Sequence, residues 1–150
     1  MTRHRLITCV IATALVVTGI PEGLAQPLGA DVLKRGRARP DGTANVGVYV
    51  RTRAAYRAQW ERFGYRGDRP AVNFDRRRVV FAATTERSSC PLRFKRVELR
   101  RKARKLIAHL SDGVSDNEAC TDDLAPRSFV ISIARSSLPR GKLDVGIRRH

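Results

Sequence analysis

Acidic residues are scarce in this sequence. Its 150 residues include 30 lysines and arginines but only 14 aspartates and glutamates, which gives a formal net charge of +16. The balance is reversed over residues 111–123 (SDGVSDNEACTDD), which contain five acids and no base. A chain this basic should be attracted to anionic wall polymers, anionic lipid headgroups or acidic proteins.

The short motifs of common catalytic and cofactor sites are also missing. No HExxH zinc motif, phosphate-binding loop or GxSxG nucleophile elbow occurs, so we expect no cofactor. Four acids of residues 111–123 could hold Ca²⁺, namely Asp116, Glu118, Asp122 and Asp123. Their spacing does not match the Asp-x-Asp-x-Asp-Gly loop, and we interpret the segment as a solvated acidic turn.

Histidine is rare, which limits general acid–base chemistry near neutral pH. Only His4, His109 and His150 occur. Glu98 and His109 could face each other across a hairpin among arginines, as in a small basic exported ribonuclease. No second general acid or base is evident apart from His150, so we interpret His109 as an ordinary surface histidine. We therefore expect no enzyme, with a small secreted hydrolase such as a ribonuclease as the alternative.

Long hydrophobic runs are limited to one, at the start of the chain. Arg3 and Arg5 precede an apolar run of 15 residues, 6–20, and small residues follow in the segment GLA. This order predicts a secretory signal peptide over residues 1–25, cleaved after Ala25 or, as second choice, after Ala30. A membrane span needs about 20 apolar residues, so an uncleaved anchor is the alternative and the mature chain should not span a membrane.

Cysteine is equally scarce, with only Cys9, Cys90 and Cys120. Signal cleavage would remove Cys9 and leave two cysteines in an exported protein, where paired thiols oxidise and persist. Without CxxC spacing, a reactive or metal-binding pair is the less favoured interpretation, and we expect no metal site. We predict a Cys90–Cys120 disulfide and a protein that is secreted or held in the bacterial cell envelope.

The mature chain begins with residues 26–44, which are rich in Gly, Pro and Arg and lack periodicity, so they predict a flexible basic arm. Residues 45–150 then suit one domain. Tyr56, Trp60 and Phe63 share one face of a predicted helix that starts after Thr52 and stops at Gly64. Strand patterns follow in the segments RVVFAAT, LRFKRVEL, KLIAHL, SFVISIA and KLDVGIRR, and one precedes the helix in NVGVYVR.

These patterns predict a mainly β fold of about six short, mostly antiparallel strands, sandwich-like or barrel-like, with one amphipathic helix near the start of the domain and one disulfide. The segment ELRRKARKLIAHL fits a helix as well as two strands, because Leu99, Ala103, Leu106 and Leu110 recur at helical spacing. We favour two strands joined near residues 101–104.

Aromatic residues are not interleaved with the basic ones, as a stacking platform for single-stranded nucleic acid would need. The sequence therefore has no dedicated nucleic-acid motif. Extracellular nucleic acid remains one of several anionic ligands that the charge alone would attract.

Three segments resemble the C-terminal domain of PrcB-type accessory proteins: VNFD before a valine-rich strand, the later RSFVISIARSSLP, and a helix ending WERFG. The resemblance extends from Val46 to Ile147. It implies a small exported β-rich domain associated with an extracellular protease complex. The glycine-rich turn of that family is replaced here by ERSSCPL, and Cys90 with Cys120 resembles an alternative way of fixing the same turn.

Together these observations predict a strongly cationic, secreted or envelope-bound accessory module without catalytic residues. Its expected partners are anionic envelope material, an acidic protein or a protease.

Overall fold

The computed structural model describes residues 25–37, 45–113 and 119–150. Within them the chain forms eight strands and one α-helix. The elements are β1 (Gln26–Leu28), β2 (Ala30–Gly36), β3 (Val46–Val50), α1 (Arg53–Arg62), β4 (Arg77–Arg87), β5 (Leu92–Arg100), β6 (Lys105–Asp112), β7 (Leu124–Ala134) and β8 (Asp144–Arg149). The predicted mainly β fold with one helix and one disulfide is confirmed.

The strands form two four-stranded sheets. The first sheet has the order β1-β5-β6-β8 and the second the order β2-β7-β4-β3. Each named pairing is antiparallel except that of β6 with β8, which is parallel. The main core lies between the sheets, where alternate side chains of β5 and β6 meet those of β4 and β7. The fold is therefore a β-sandwich.

A second, smaller core lies on the other face of the second sheet, beneath α1. Tyr56, Trp60 and Phe63 of the predicted aromatic stripe are buried there against Phe81 of β4. Strand β4 is thus covered on both faces, which explains why its sequence is a continuous apolar run instead of an alternating one. The aromatic stripe is core packing, as its helical spacing predicted.

Local signals set the ends of α1. The side chain of Thr52 accepts a hydrogen bond from the backbone N–H of Ala55 at 3.2 Å, which confirms it as the N-cap. The chain leaves the helix through Gly64, whose φ of +68° is in the left-handed region that favours glycine. The predicted start and stop of the helix are both confirmed.

The prediction of a flexible arm over residues 26–44 is wrong for residues 26–36. Strand β1 pairs with β5 and strand β2 pairs with β7, so this segment supplies one strand to each sheet. Leu28 is buried in the main core. The Gly- and Pro-rich composition did not indicate strands. A strand that is covered on one face needs an apolar residue only at every second position. Residues 38–44 lie outside the described part of the chain.

The ambiguous segment forms two strands, as favoured. Strands β5 and β6 pair in register from Arg100 with Lys105, and residues 101–104 form the turn between them. Arg104 has a φ of 50° and closes this turn. Tertiary pairing on both sides of β6 overrides the helical spacing of its leucines, because helix propensity is a weak preference.

The two sheets approach each other closely at one corner, between β3 and β8. A Cβ atom added at Gly47 would lie 2.6 Å from the backbone oxygen of Val145. Only glycine permits this approach, which nearly closes the sandwich along that side.

Candidate functional site

A cleft lined by arginines is the most distinctive surface of the structure. It measures about 750 Å³ and lies where the end of β3, the turn before β4 and the segment after β7 meet. We call it the arginine cleft, and its charged residues are Arg51, Arg76, Arg78, Arg135, Arg140 and Asp75. Five guanidinium groups thus face one carboxylate, so the cleft is strongly positive.

Two of these arginines are held by backbone carbonyls. Arg78 donates hydrogen bonds to the carbonyl oxygens of Phe74 and Arg77, the latter at 2.8 Å. Arg135 donates to the carbonyl of Asp75 at 3.3 Å, and its own backbone N–H bonds the carbonyl of Arg76 at 2.8 Å. These bonds fix the cleft wall without neutralising its charge.

The side chains of the other three cleft arginines have no such bonds to the described residues. In the described part of the chain, Arg51, Arg76 and Arg140 make no side-chain hydrogen bond or ion pair. Guanidinium groups that converge on a concave surface are well suited to bind phosphate or carboxylate groups in a bidentate manner. The cleft can therefore accept several anionic groups at once.

Tyr49 forms part of the cleft wall and supplies a neutral hydroxyl. Burial raises the pKa of Tyr49, while the positive charges of Arg78 and Arg51 partly oppose that rise. The phenol therefore stays protonated at neutral pH and can donate a hydrogen bond to an anion bound among the arginines.

A second groove lies on the other side of Asp75, which lines both cavities. It measures about 830 Å³ and runs between α1 and residues 69–75, with Arg53 and Arg69 at its edge. The guanidinium of Arg69 lies 5.4 Å from the ring centre of Tyr56. Within the described residues the buried Tyr56 hydroxyl has no hydrogen-bond partner, and burial raises its pKa to about 12. The two cavities therefore adjoin at Asp75, and each is lined by arginines.

The predicted disulfide is present. Cys90 and Cys120 are bonded, with 5.7 Å between their Cα atoms, and Cys90 is fully buried. Beside the bond, Ser89 Oγ accepts a hydrogen bond from the backbone N–H of Thr121 at 2.8 Å. Glu86, also buried, accepts one from the backbone N–H of Leu92 at 2.7 Å. The turn that carries ERSSCPL is therefore held firmly, and its role is structural.

The predicted signal peptide lies almost entirely outside the described residues. Ala25, the predicted cleavage position, is the first described residue and is exposed. Cleavage stays a prediction. Of the acidic segment, residues 114–118 are likewise outside the described part, and Asp122 and Asp123 are exposed. Among the described residues, no group of three or more His, Cys, Asp or Glu side chains could hold a metal ion.

His109 is a correction to the sequence interpretation, which placed it on the surface. It is buried, with 1% of its surface exposed. Its Nε2 lies 3.0 Å from Glu98 Oε2, so the expected contact across the β5–β6 hairpin is confirmed. Its Nδ1 lies 2.7 Å from Nε2 of His150, a contact that the sequence did not suggest.

Comparison with family models, with curated proteins and with solved structures finds no match for this chain. The resemblance to PrcB-type accessory domains therefore stays a prediction, and the function has to be argued from the structure itself. Within the described residues, no helix is long and apolar enough to cross a membrane.

The residues of the arginine cleft could not be singled out from the sequence. Five of its residues, at 51, 76, 78, 135 and 140, are spread over 90 positions among 30 basic residues. Only the pairing of β4 with β3 and β7 brings them together. The only feature of the sequence that drew attention to His150 was the small number of histidines.

Proposed function

We propose that the protein is an exported binding module of the bacterial cell envelope that holds phosphate-rich anionic polymers in the arginine cleft. The observation that carries this proposal is the convergence of five arginines on a cavity with a single carboxylate, Asp75. Predicted export and the cationic composition agree with an extracytoplasmic ligand.

An extended ligand fits better than a small one. The second groove shares Asp75 with the cleft as a lining residue and adds Arg53 and Arg69. A polymer with regularly spaced anionic groups could contact both cavities, whereas a single phosphate would occupy only a part of one. Binding should therefore strengthen with chain length up to the length that spans both cavities.

The test measures the affinity of the disulfide-bonded protein for polyphosphate of defined length. The variant carries Arg51→Ala and Arg76→Ala, which remove two cleft arginines whose side chains bond none of the described residues. The matched control carries Arg57→Ala and Arg66→Ala, which remove the same charge from exposed positions that do not line the cleft. A contact to a charged group contributes about 1.5–3 kcal/mol, while an exposed ion pair contributes about 0–1 kcal/mol.

We expect the cleft variant to lose about 2–3 kcal/mol, or roughly 30- to 150-fold in Kd, and the control to lose less than about 5-fold. Equal losses in the two variants would show diffuse attraction to the whole surface and defeat the cleft as the site. Tighter binding to an acidic protein or to anionic lipid vesicles than to polyphosphate would assign the cleft to a different ligand.

A further inference from the structure

A chain of three side chains lies on the outer face of the first sheet, away from the main core. Glu98 of β5 contacts His109 of β6, and His109 contacts His150, which follows β8. The two imidazole rings are stacked, with centroids 5.0 Å apart and planes 15° apart. A backbone hydrogen bond of 3.0 Å from His150 N–H to the carbonyl of Leu110 holds the last residue in place.

The hydrogen bonds define the protonation of the chain. The pKa of Glu98 is lowered, mainly by the hydrogen bond from Arg100, so its carboxylate is charged and accepts the Nε2 proton of His109. His109 is then neutral with a bare Nδ1, in accord with burial and Arg96 lowering its pKa. That Nδ1 accepts the Nε2 proton of His150, which leaves Nδ1 of His150 as the free basic atom.

Burying these side chains would cost free energy of folding if their only role were packing. Glu98 and His109 are buried on a sheet face whose opposite side supplies the main core. A buried ionic group is seldom more stabilising than apolar side chains of similar size. A carboxylate that orients an imidazole, which in turn polarises a second group, is the arrangement that activates a base in enzymes.

Cationic residues flank His109, the middle member of this chain. In the strand register His109 lies between Arg96 of β5 and Arg148 of β8, two residues before His150. Arg149 is exposed, and its guanidinium lies 3.5 Å from Asp112. The substrate that fits a base among arginines is a phosphodiester, and the base needs a neighbouring hydroxyl to deprotonate. RNA carries both groups, since its 2′-hydroxyl adjoins each phosphate.

We infer that His150 is a general base for the cleavage of RNA, with Glu98 and His109 as its positioning residues. Nδ1 of His150 takes the proton of the 2′-hydroxyl, and the 2′-oxygen forms a bond to phosphorus as the bond from phosphorus to the 5′-oxygen breaks. The leaving oxygen takes a proton from water. The products are a 2′,3′-cyclic phosphate and a free 5′-hydroxyl, and no metal or oxidant is consumed.

The test incubates the disulfide-bonded protein with a fluorogenic RNA oligonucleotide in EDTA, beside DNA of the same sequence. We expect cleavage of RNA alone, with a 2′,3′-cyclic phosphate identified by mass spectrometry. His150→Ala should lower the rate at least about 100-fold, the usual contribution of a general base. Added imidazole should restore part of the rate in this variant, which a purely structural role of His150 would not explain. Arg57→Ala, on α1, should leave the rate unchanged.

The roles of Glu98 and His109 are tested separately, by the dependence of the cleavage rate on pH. The rate should rise with pH across the acidic range, because His109 must be neutral to accept the proton of His150, and the groups facing His109 are Glu98, Arg96 and Arg100 of β5, Arg148 of β8 and His150 itself. Glu98→Gln should displace this profile towards lower pH, because the carboxylate of Glu98 raises the pKa of His109 and its loss lets the imidazole become neutral at lower pH. Absence of RNA cleavage by the unmodified protein, equal cleavage of DNA, or an unchanged rate in His150→Ala would each overturn the inference. None of these results bears on polyphosphate binding in the arginine cleft.

Discussion

The Cys90–Cys120 bond makes a quantitative prediction about stability. The change to make is the double substitution of both cysteines by alanine, because Cys90 is buried and alanine places no new polar group there. The bond joins residues 30 positions apart. Loop-closure entropy for that separation corresponds to about 3–4 kcal/mol of stabilisation through the unfolded state.

Native contacts around the bond do not alter this figure. The pairing of Arg87 with Leu124 and the hydrogen bond of 3.1 Å from Ser88 N–H to the carbonyl of Asp123 bring the same two segments together. These contacts exist in the folded state of both proteins and are lost in both unfolded states. The disulfide alone restricts the unfolded chain, so its entropic contribution persists.

The assay is urea unfolding followed by circular dichroism, with the oxidised protein, the reduced protein and the alanine variant compared at one pH. Both proteins without the bond should lose about 3–4 kcal/mol, a large part of the roughly 5–15 kcal/mol that a domain of this size has. Their melting temperatures should fall by roughly 10 °C or more. A loss below 1 kcal/mol in both would refute the argument and show that residual structure already restricts the unfolded chain.

Three further predictions concern single groups. Tyr56→Phe should raise the free energy of unfolding, measured in urea, by about 1 kcal/mol, since it removes a buried hydroxyl without a partner among the described residues. A lower free energy of unfolding in the variant would show that the hydroxyl forms a hydrogen bond. Stability should decline as pH falls below 6.5, because the lowered pKa of His109 lets the unfolded chain bind a proton that the folded chain excludes. His109→Gln should remove that part of the slope, and an unchanged slope would contradict the assignment. Protein recovered from the medium or envelope of an expressing bacterium should begin at Gln26 by mass spectrometry; an intact start in the membrane fraction would favour an anchor.

Much of the fold was readable from local patterns. Alternating apolar residues, and a continuous apolar run for β4, located six of the strands, and the Thr52 cap with Gly64 bounded the helix. Strands β1 and β2 were missed because they depend on pairing with β5 and β7, distant in sequence, and not on their own composition. Propensity cannot report such long-range pairing.

The candidate sites were less predictable than the fold. The spacing of Glu98 and His109 suggested a contact across a hairpin, and the contact is present. The burial of His109 depends on its neighbours in β5 and β8 and on His150, which the local alternation of β6 does not contain. The residues of the arginine cleft come from three separate segments. Because arginine is abundant throughout the sequence, nothing distinguished these arginines from the others.

The most direct test of the binding proposal maps which arginines a bound polyanion covers. Phenylglyoxal modifies accessible guanidinium groups, and peptide mass spectrometry can report the extent of modification at each position with and without polyphosphate. We expect strong protection at Arg51, Arg76 and Arg140, with little change at Arg57 and Arg66. Uniform protection over the whole surface, or protection that spares the arginine cleft, would contradict the proposal.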